Sequence, residues 1–192
     1  MMTVDCIITA AGLSSRMGKW KMMLPWREGT ILDASINNAL QFCARTIVVT
    51  GYHADALQER YRHQENVTLV HNADYQQGMA GSVITGARAV NTDYCFITPG
   101  DLPCLHEGIF RELWALRSEG AILPHYRGTP GHPVLVKKSS LLQAIARPDI
   151  RSMRQALMQG KHHCVSLDHP EIIFDIDTPD DFSRLQSLNK SE

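Results

Sequence analysis

Short apolar runs alternate along this chain with segments of helical spacing, and the alternation constrains the fold more than any other feature. The first strand-like runs lie at residues 4–9, 46–51, 67–72 and 94–101. Segments with apolar residues three and four positions apart separate them, beginning with a helix expected over residues 30–43. This order predicts an α/β fold in which a mainly parallel sheet lies between two helical layers.

The second half of the chain continues the pattern with less regularity. Further strands are expected at residues 121–126, 132–138, 163–168 and 171–177. A helix over residues 109–120 would end at Gly120, and a last helix would begin at Thr178, with Pro179 in its first turn. A length of 192 residues with 44% hydrophobic content suits one domain.

Composition excludes several classes of function. The formal net charge is −1, so bulk charge does not indicate a nucleic-acid-binding surface. No apolar run approaches the roughly 20 residues that cross a bilayer, and the N-terminus lacks the features of a signal peptide. The five cysteines include no C-x-x-C pair, which argues against a disulfide framework or a cysteine zinc site. We therefore expect a cytoplasmic protein with no nucleic-acid or membrane partner.

The loop after the first expected strand is rich in groups that bind phosphate. It contains Gly12 and Gly18, together with the cations Arg16, Lys19 and Lys21. It matches neither the P-loop, which needs Ser or Thr after its lysine, nor the G-x-G-x-x-G dinucleotide pattern. Glycine permits close backbone approach, and these cations supply donors for phosphate oxygens. The loop is a candidate phosphate-binding site, and a plain polar connection between a strand and a helix is an equal alternative.

Two acids are expected at one edge of the sheet. Asp101 and Asp177 end expected strands, and α/β sheets bind ligands at the carboxyl ends of their strands. Two carboxylates there would repel each other without a cation, and Mg²⁺ binds carboxylates together with phosphate oxygens. Asp175 would share a strand face with Asp177 and competes for this role. The plainer alternatives are a turn-forming Asp101 and an Asp177 that only flanks a helix cap.

The motifs, taken in order, carry a resemblance. The loop AAGLSSRMG with its KMMLP tail resembles the signature of the MobA-like nucleotidyltransferases. QGMAGS, PGDLP, GHPV and DIDTPDD, at residues 77–82, 99–103, 131–134 and 175–181, match further family segments in the same order. The closest subgroup is the molybdenum cofactor cytidylyltransferases. The resemblance implies the Rossmann-like fold of nucleotide-diphospho-sugar transferases, with one domain over residues 1–192.

Within that domain, the resemblance implies a nucleotide-binding part over about residues 1–105 and an acceptor-binding part over about residues 106–188. The implied reaction is Mg²⁺-dependent transfer of CMP from CTP to the terminal phosphate of a molybdopterin-type pterin. Arg16, Lys21 and Asp101 would be catalytic, Asp101 and Asp177 would hold the metal, and His132 would contact the acceptor. The residues implied to bind the nucleotide are Ala10, Ala11, Gly12, Ser14, Arg16, Lys21, Ser82 and Asp101.

Several alternatives stay open. Thr9-Ala10-Ala11-Gly12 stands where the guanylyltransferases have L-A-G-G, and the Ala11 methyl favours CTP by about 1–3 kcal/mol at most. Ser82 could equally be a helix N-cap, and His106 is interpreted as a surface or packing residue. The acceptor could instead be a sugar or polyol phosphate. A chaperone that delivers the cofactor to a molybdenum apo-enzyme is a second alternative, and we expect a monomer in each case.

Overall fold

The computed structural model describes residues 2–189, in which strands and helices alternate. The strands are β1 (Met2–Thr9), β2 (Pro25–Trp26), β3 (Gly29–Thr30), β4 (Cys43–Thr50), β5 (Val67–His71), β6 (Tyr94–Pro99), β7 (Ala121–Tyr126), β8 (Thr129–Pro130), β9 (Val134–Lys137) and β10 (His162–Ser166). The helices are α1 (Ile31–Leu40), α2 (Ala54–Tyr61), α3 (Met79–Ala87), α4 (Glu107–Ala115), α5 (Lys138–Ile145), α6 (Met153–Met158) and α7 (Pro179–Leu188).

The main sheet is mixed and mostly parallel. Its order is β10-β7-β9-β6-β1-β4-β5, with β8 paired to β7 and with β2 and β3 in a separate hairpin. Strand β1 is central and pairs in parallel with β4 and β6. Strand β9 runs antiparallel between β6 and β7. The predicted α/β class and mainly parallel sheet are confirmed.

Helices cover both faces of the sheet. In β1, Val4, Cys6 and Ile8 belong to a core cluster that includes residues of α1 and α4. Ile7 belongs to a second cluster, with residues of α3, α5 and α6. This alternation with a period of two is what a strand buried on both faces produces. The predicted three-layer arrangement is therefore confirmed.

Two helix starts form as the sequence predicts. The Thr30 hydroxyl accepts a bond from the Asp33 amide at 3.1 Å, and Asp33 Oδ2 accepts from the Thr30 amide at 2.8 Å. Thr178 caps α7 by the same reciprocal pair with Asp181, and Pro179 follows the cap. Each cap satisfies two backbone groups at a helix end that would otherwise lack partners. Helix α7 therefore begins directly after Asp177.

The strand predicted at residues 171–177 is wrong. Pro170–Ile173 forms a 3-10 helix, and the residues after it are irregular. The Ile172 carbonyl accepts from the His132 amide at 2.9 Å, and the Ile176 amide donates to the Asp101 carbonyl at 3.0 Å. These single bonds to two different loops replace a strand ladder. The segment still reaches the end of β6, which brings Asp177 to the same edge as Asp101.

The predicted role of Gly120 as a helix end is also wrong. Helix α4 ends at Ala115, and Gly120 lies immediately before β7. A Cβ at this position would lie 1.9 Å from the Lys161 carbonyl oxygen, so only glycine allows the chain to pass there. Within residues 2–189, no helix is both long and apolar enough to cross a membrane.

Candidate active site

The loop after β1 is a folded structure of two short 3-10 turns, Ser15–Met17 and Lys21–Met23. Ser14 and Gly18 both have positive φ, at 55° and 66°. The Ser14 hydroxyl accepts a bond from the Lys21 amide at 3.1 Å, which closes the loop on itself. Met17 is buried in a small cluster with Ile176 and Leu185, so the loop is anchored to the C-terminal segment. Lys21 begins the second of the two turns.

Lys21 lies between the two predicted metal-binding acids. Its Nζ donates to Asp101 Oδ2 at 2.5 Å and to Asp177 Oδ1 at 2.7 Å. The lysine and Asp101 side chains are only 12% and 8% exposed. Arg16, whose side chain is 69% exposed, reaches Asp177 Oδ2 at 2.8 Å from the solvent side. The cation expected between the carboxylates is therefore, in this structure, an ammonium group of the chain itself.

Burial and pairing shift the pKa values of this group in opposite directions. Burial raises the pKa of Asp101 above its usual range, and attraction to Lys21 only partly offsets this. Burial also disfavours a charged Lys21, but Asp101 and Asp177 outweigh it and raise the lysine pKa. The pKa of Asp177 is lowered, because its bonds with Asp175 and Lys21 and the charge of Arg16 exceed the effect of burial.

A third carboxylate completes the acidic cluster. One oxygen each of Asp101, Asp175 and Asp177 lies within 4.8 Å of the others. Burial and a hydrogen bond to Asp177 raise the pKa of Asp175 to about 6. Asp101 Oδ1 is buried and has no hydrogen-bond partner in the described part of the chain. An orphaned oxygen among three carboxylates fits a hard divalent cation, which takes oxygen ligands.

Comparison with known proteins identifies the family of this chain. A model of the MobA-like NTP transferase domain matches residues 6–165 of this chain. This chain belongs to the MobA-like NTP transferase family. The loop after β1 and the acid that follows β6 both lie inside the matched region. Asp175 and Asp177 lie beyond it.

Individual relatives of the family cover most of the chain. The molybdenum cofactor cytidylyltransferase of Escherichia coli (strain K12) is 60% identical over 95% of both chains. A probable molybdenum cofactor guanylyltransferase of Bacillus mycoides (strain KBAB4) is 28% identical over 80% of this chain and 78% of its own. Among solved structures, a nucleotidyl transferase from Methanothermobacter thermautotroptrophicus superposes with a TM-score of 0.84, at 21% identity over 99% of both chains. That last likeness concerns the fold alone.

A cavity of about 200 Å³ opens beside the loop after β1. Five of the eight residues predicted to bind nucleotide line it: Ala11, Gly12, Lys21, Ser82 and Asp101. Ala10 is completely buried beneath the loop, and its amide donates to the Val49 carbonyl at 2.9 Å. Ser14 and Arg16 lie elsewhere on the loop, where one holds the Lys21 amide and the other reaches Asp177.

Ser82 does not cap a helix, so that alternative is wrong. Helix α3 begins at Met79, with Gly78 at its N-cap, and Ser82 lies one turn inside. Its hydroxyl accepts a bond from the Asn72 amide group at 3.0 Å. The hydroxyl hydrogen of Ser82 is not used by that bond. Ser82 therefore lines the cavity as a group that can still donate.

A second cavity, of about 270 Å³, adjoins the first. The two share Thr9, Met79 and Pro99 in their walls. His132 lines the second cavity, and its Nδ1 is buried without a hydrogen-bond partner among residues 2–189. Burial lowers the pKa of His132 to about 4, although a hydrogen bond with the Ile97 backbone acts in the opposite direction and raises it. The imidazole is therefore neutral at pH 7, with one nitrogen available to a ligand.

Two cations at this second cavity escaped the sequence reasoning. Arg151 and Arg154 line it, one before α6 and one within it. No motif surrounds them, because residues 149–154 match none of the segments that carry the family resemblance. Their only signal was charge. Their relation to His132 depends on the packing of α6 against α5 and β7, which spacing along the chain does not reveal.

Proposed function

We propose that this chain transfers CMP from CTP to the terminal phosphate of a molybdopterin-type cofactor and releases pyrophosphate. The observation that carries the proposal is the 60% identity, over 95% of both chains, to the cytidylyltransferase of Escherichia coli. The Thr9-Ala10-Ala11-Gly12 segment supports CTP as the donor, since Ala11 lines the smaller cavity and a methyl group there would leave less room for a purine than the glycine of the guanylyltransferases. The proposal rests on overall likeness and on the site together.

In this proposal the nucleotide occupies the smaller cavity, and its phosphates lie along the loop after β1. Arg16 is exposed and holds its guanidinium beside the acids, where it can bind the β- and γ-phosphates as a fork. Gly12 and Ser14 belong to the same loop and would contribute backbone donors. Lys21 would exchange one carboxylate partner for an α-phosphate oxygen. Its charge would then stabilise the negative charge that develops at the α-phosphorus.

Mg²⁺ is the metal that we propose for the acidic cluster. Asp101, Asp175 and Asp177 would hold it, since their oxygens lie within 4.8 Å of one another and Asp101 Oδ1 has no partner within the described range. When bound, the ion would neutralise charge on the carboxylates and on the phosphates of the nucleotide. The pair of ligands expected from the sequence, Asp101 and Asp177, thereby gains Asp175.

The second cavity, of about 270 Å³, is our proposed acceptor site. It is mostly apolar, which suits a flat pterin ring, and the cations Arg151 and Arg154 in its wall suit the pterin's phosphate. The neutral His132 would offer its free ring nitrogen to a polar edge of the acceptor. The acceptor phosphate is already anionic, so its oxygen can attack without a general base. The new bond forms at the α-phosphorus as the bond to pyrophosphate breaks.

The test is an assay of pyrophosphate release with all four nucleoside triphosphates in parallel. Each reaction contains Mg²⁺ and molybdopterin, or a sugar phosphate in its place. We expect release with CTP and molybdopterin to exceed release with GTP by about tenfold or more, because one methyl discriminates by about 1–3 kcal/mol. Equal use of GTP, or turnover with the sugar phosphate alone, would contradict the proposal.

A further inference from the structure

A second group of ligand atoms lies outside the active site, where α4 begins. One ring nitrogen each of His106 and His169 and one carboxylate oxygen of Glu171 lie within 4.8 Å of one another. The two imidazole rings meet edge to face, with centroids 5.2 Å apart. All three residues are partly buried. The group joins parts of the chain that are more than 60 residues apart, so sequence spacing does not predict it.

Two features of this group point to a bound cation. Glu171 Oε2 is buried, and no residue that the structure describes donates a hydrogen bond to it. A buried carboxylate oxygen without a donor is costly unless a cation binds it. In addition, His169 Nε2 lies 3.0 Å from Glu112 Oε2. A carboxylate that holds the second nitrogen of a histidine is a common partner of metal-binding imidazoles.

We propose that His106, His169 and Glu171 form a site for a divalent transition-metal ion of the Zn²⁺ class. Two imidazoles and one carboxylate suit Zn²⁺ and are poor ligands for Mg²⁺, which prefers oxygen. Tetrahedral coordination with bonds of about 2.0–2.1 Å places ligand atoms roughly 3.3 Å apart. The three ligand atoms already lie within 4.8 Å of one another, so small side-chain rotations bring them to this spacing.

The ion would join two segments that carry the active-site acids. His106 lies five residues after Asp101, and Glu171 lies in the 3-10 helix that precedes Asp175 and Asp177. One backbone bond, from the Ile176 amide to the Asp101 carbonyl, already links these segments. A metal at this site would add a second link and restrict their relative motion. This inference does not depend on the nature of the transferred nucleotide.

The experiment titrates Zn²⁺, without nucleotide, into full-length protein treated with EDTA and then supplied with excess Mg²⁺ to occupy the acidic cluster. Calorimetry should give one Zn²⁺ per chain, because Mg²⁺ does not compete for histidine ligands. His106→Ala and His169→Ala should each weaken Zn²⁺ binding by at least about tenfold, and Glu112→Gln should weaken it by about tenfold. Amide hydrogen exchange in residues 170–177 should slow on adding Zn²⁺ to the wild type and not to His169→Ala.

Matched variants separate the outcomes. His163→Ala removes an exposed histidine of β10 and should leave Zn²⁺ binding unchanged. Asp177→Asn alters the acidic cluster and should also leave Zn²⁺ binding unchanged. The two sites are thereby tested separately, so failure of the Zn²⁺ proposal would leave the proposed transfer reaction standing. Glu171→Gln keeps the side-chain shape and covers the case in which an alanine variant fails to fold. Wild-type affinity in His106→Ala, His169→Ala and Glu171→Gln, or no Zn²⁺ binding by the wild type, would overturn the site.

Discussion

Replacing Lys21 with methionine removes the ammonium that neutralises the acidic cluster and keeps most of the side-chain volume. Lys21 and Asp101 are 12% and 8% exposed, so the loss leaves a buried carboxylate without its partner. Breaking a buried pair from one side typically destabilises a protein by about 3–5 kcal/mol. Arg16 still pairs with Asp177, which keeps the loss at the low end of that range. We therefore expect a loss of about 3 kcal/mol.

The assay is urea unfolding at pH 7, followed by circular dichroism, on a double-mutant cycle. The variants are Lys21→Met, Asp101→Asn and the two combined. Because the two side chains contact each other, the combined variant should lose about 2 kcal/mol less than the sum of the single losses. Added Mg²⁺, without nucleotide, should stabilise Lys21→Met more than the wild type, since the ammonium no longer competes for the carboxylates.

Two results would refute this reasoning. Additive losses across the cycle would mean that Lys21 and Asp101 do not share a buried charge pair. An equal effect of Mg²⁺ on the wild type and on Lys21→Met would mean that the lysine does not occupy the place of a cation. Either result would separate Lys21 from the acidic cluster.

Three further predictions concern stability in urea unfolding. Burial opposes ionisation of Asp33, but bonds from Arg60 and its neighbours lower its pKa to about 2, so Asp33→Asn should lose about 1–2 kcal/mol at pH 7. That difference should vanish as the pH falls from about 4 to about 2. Burial lowers the pKa of His132 to about 4 in the folded protein. As the pH falls below about 6.5, the histidine of the unfolded chain therefore takes up a proton before that of the folded protein does. Stability should therefore fall by about 2–3 kcal/mol between pH 6.5 and pH 4, and His132→Asn should remove that slope. Gly120→Ala places a Cβ against the Lys161 carbonyl and should destabilise by about 2–3 kcal/mol.

Each of these has a clear opposite outcome. An Asp33→Asn variant whose difference from the wild type persists at pH 2 would show that its carboxylate charge is not what stabilises α1. A wild-type curve without a slope between pH 6.5 and pH 4 would show that His132 titrates normally. Gly160→Ala is the control for Gly120→Ala, because its added Cβ meets only ordinary contact at 3.6 Å. Equal effects of the two glycine substitutions would contradict the steric argument.

The first strand, two helix caps and the position of Asp101 could all be predicted from the sequence. The strand β1 follows from one apolar run whose residues alternate between two helical layers. The caps at Thr30 and Thr178 follow from acids three residues later, since their bonds close within one turn. Asp101 lies beside the loop that follows β1 because β6 is parallel to β1, so both strands end at the same edge of the sheet. For the strand and the two caps, little besides the neighbouring residues decides the structure.

The remaining features depend on contacts between distant parts of the chain. Residues 171–177 have the composition of a strand, but Ile172 and Ile176 make single backbone bonds to two different loops, at His132 and Asp101. Gly120 is explained only by the Lys161 carbonyl that passes beside it. The position of the Lys21 ammonium depends on acids 80 and 156 residues away. No periodicity or motif spacing contains that information.

The most direct test of the site compares the wild type with Asp101→Asn, using CTP labelled at its α-phosphate and molybdopterin as the acceptor. The label that appears in the cytosine dinucleotide product measures transfer, and circular dichroism confirms that each protein is folded. The proposed site predicts transfer by the wild type and a loss of at least about 100-fold in Asp101→Asn, as for removal of a group that stabilises transition-state charge. A folded Asp101→Asn variant that transfers CMP within tenfold of the wild-type rate would contradict it.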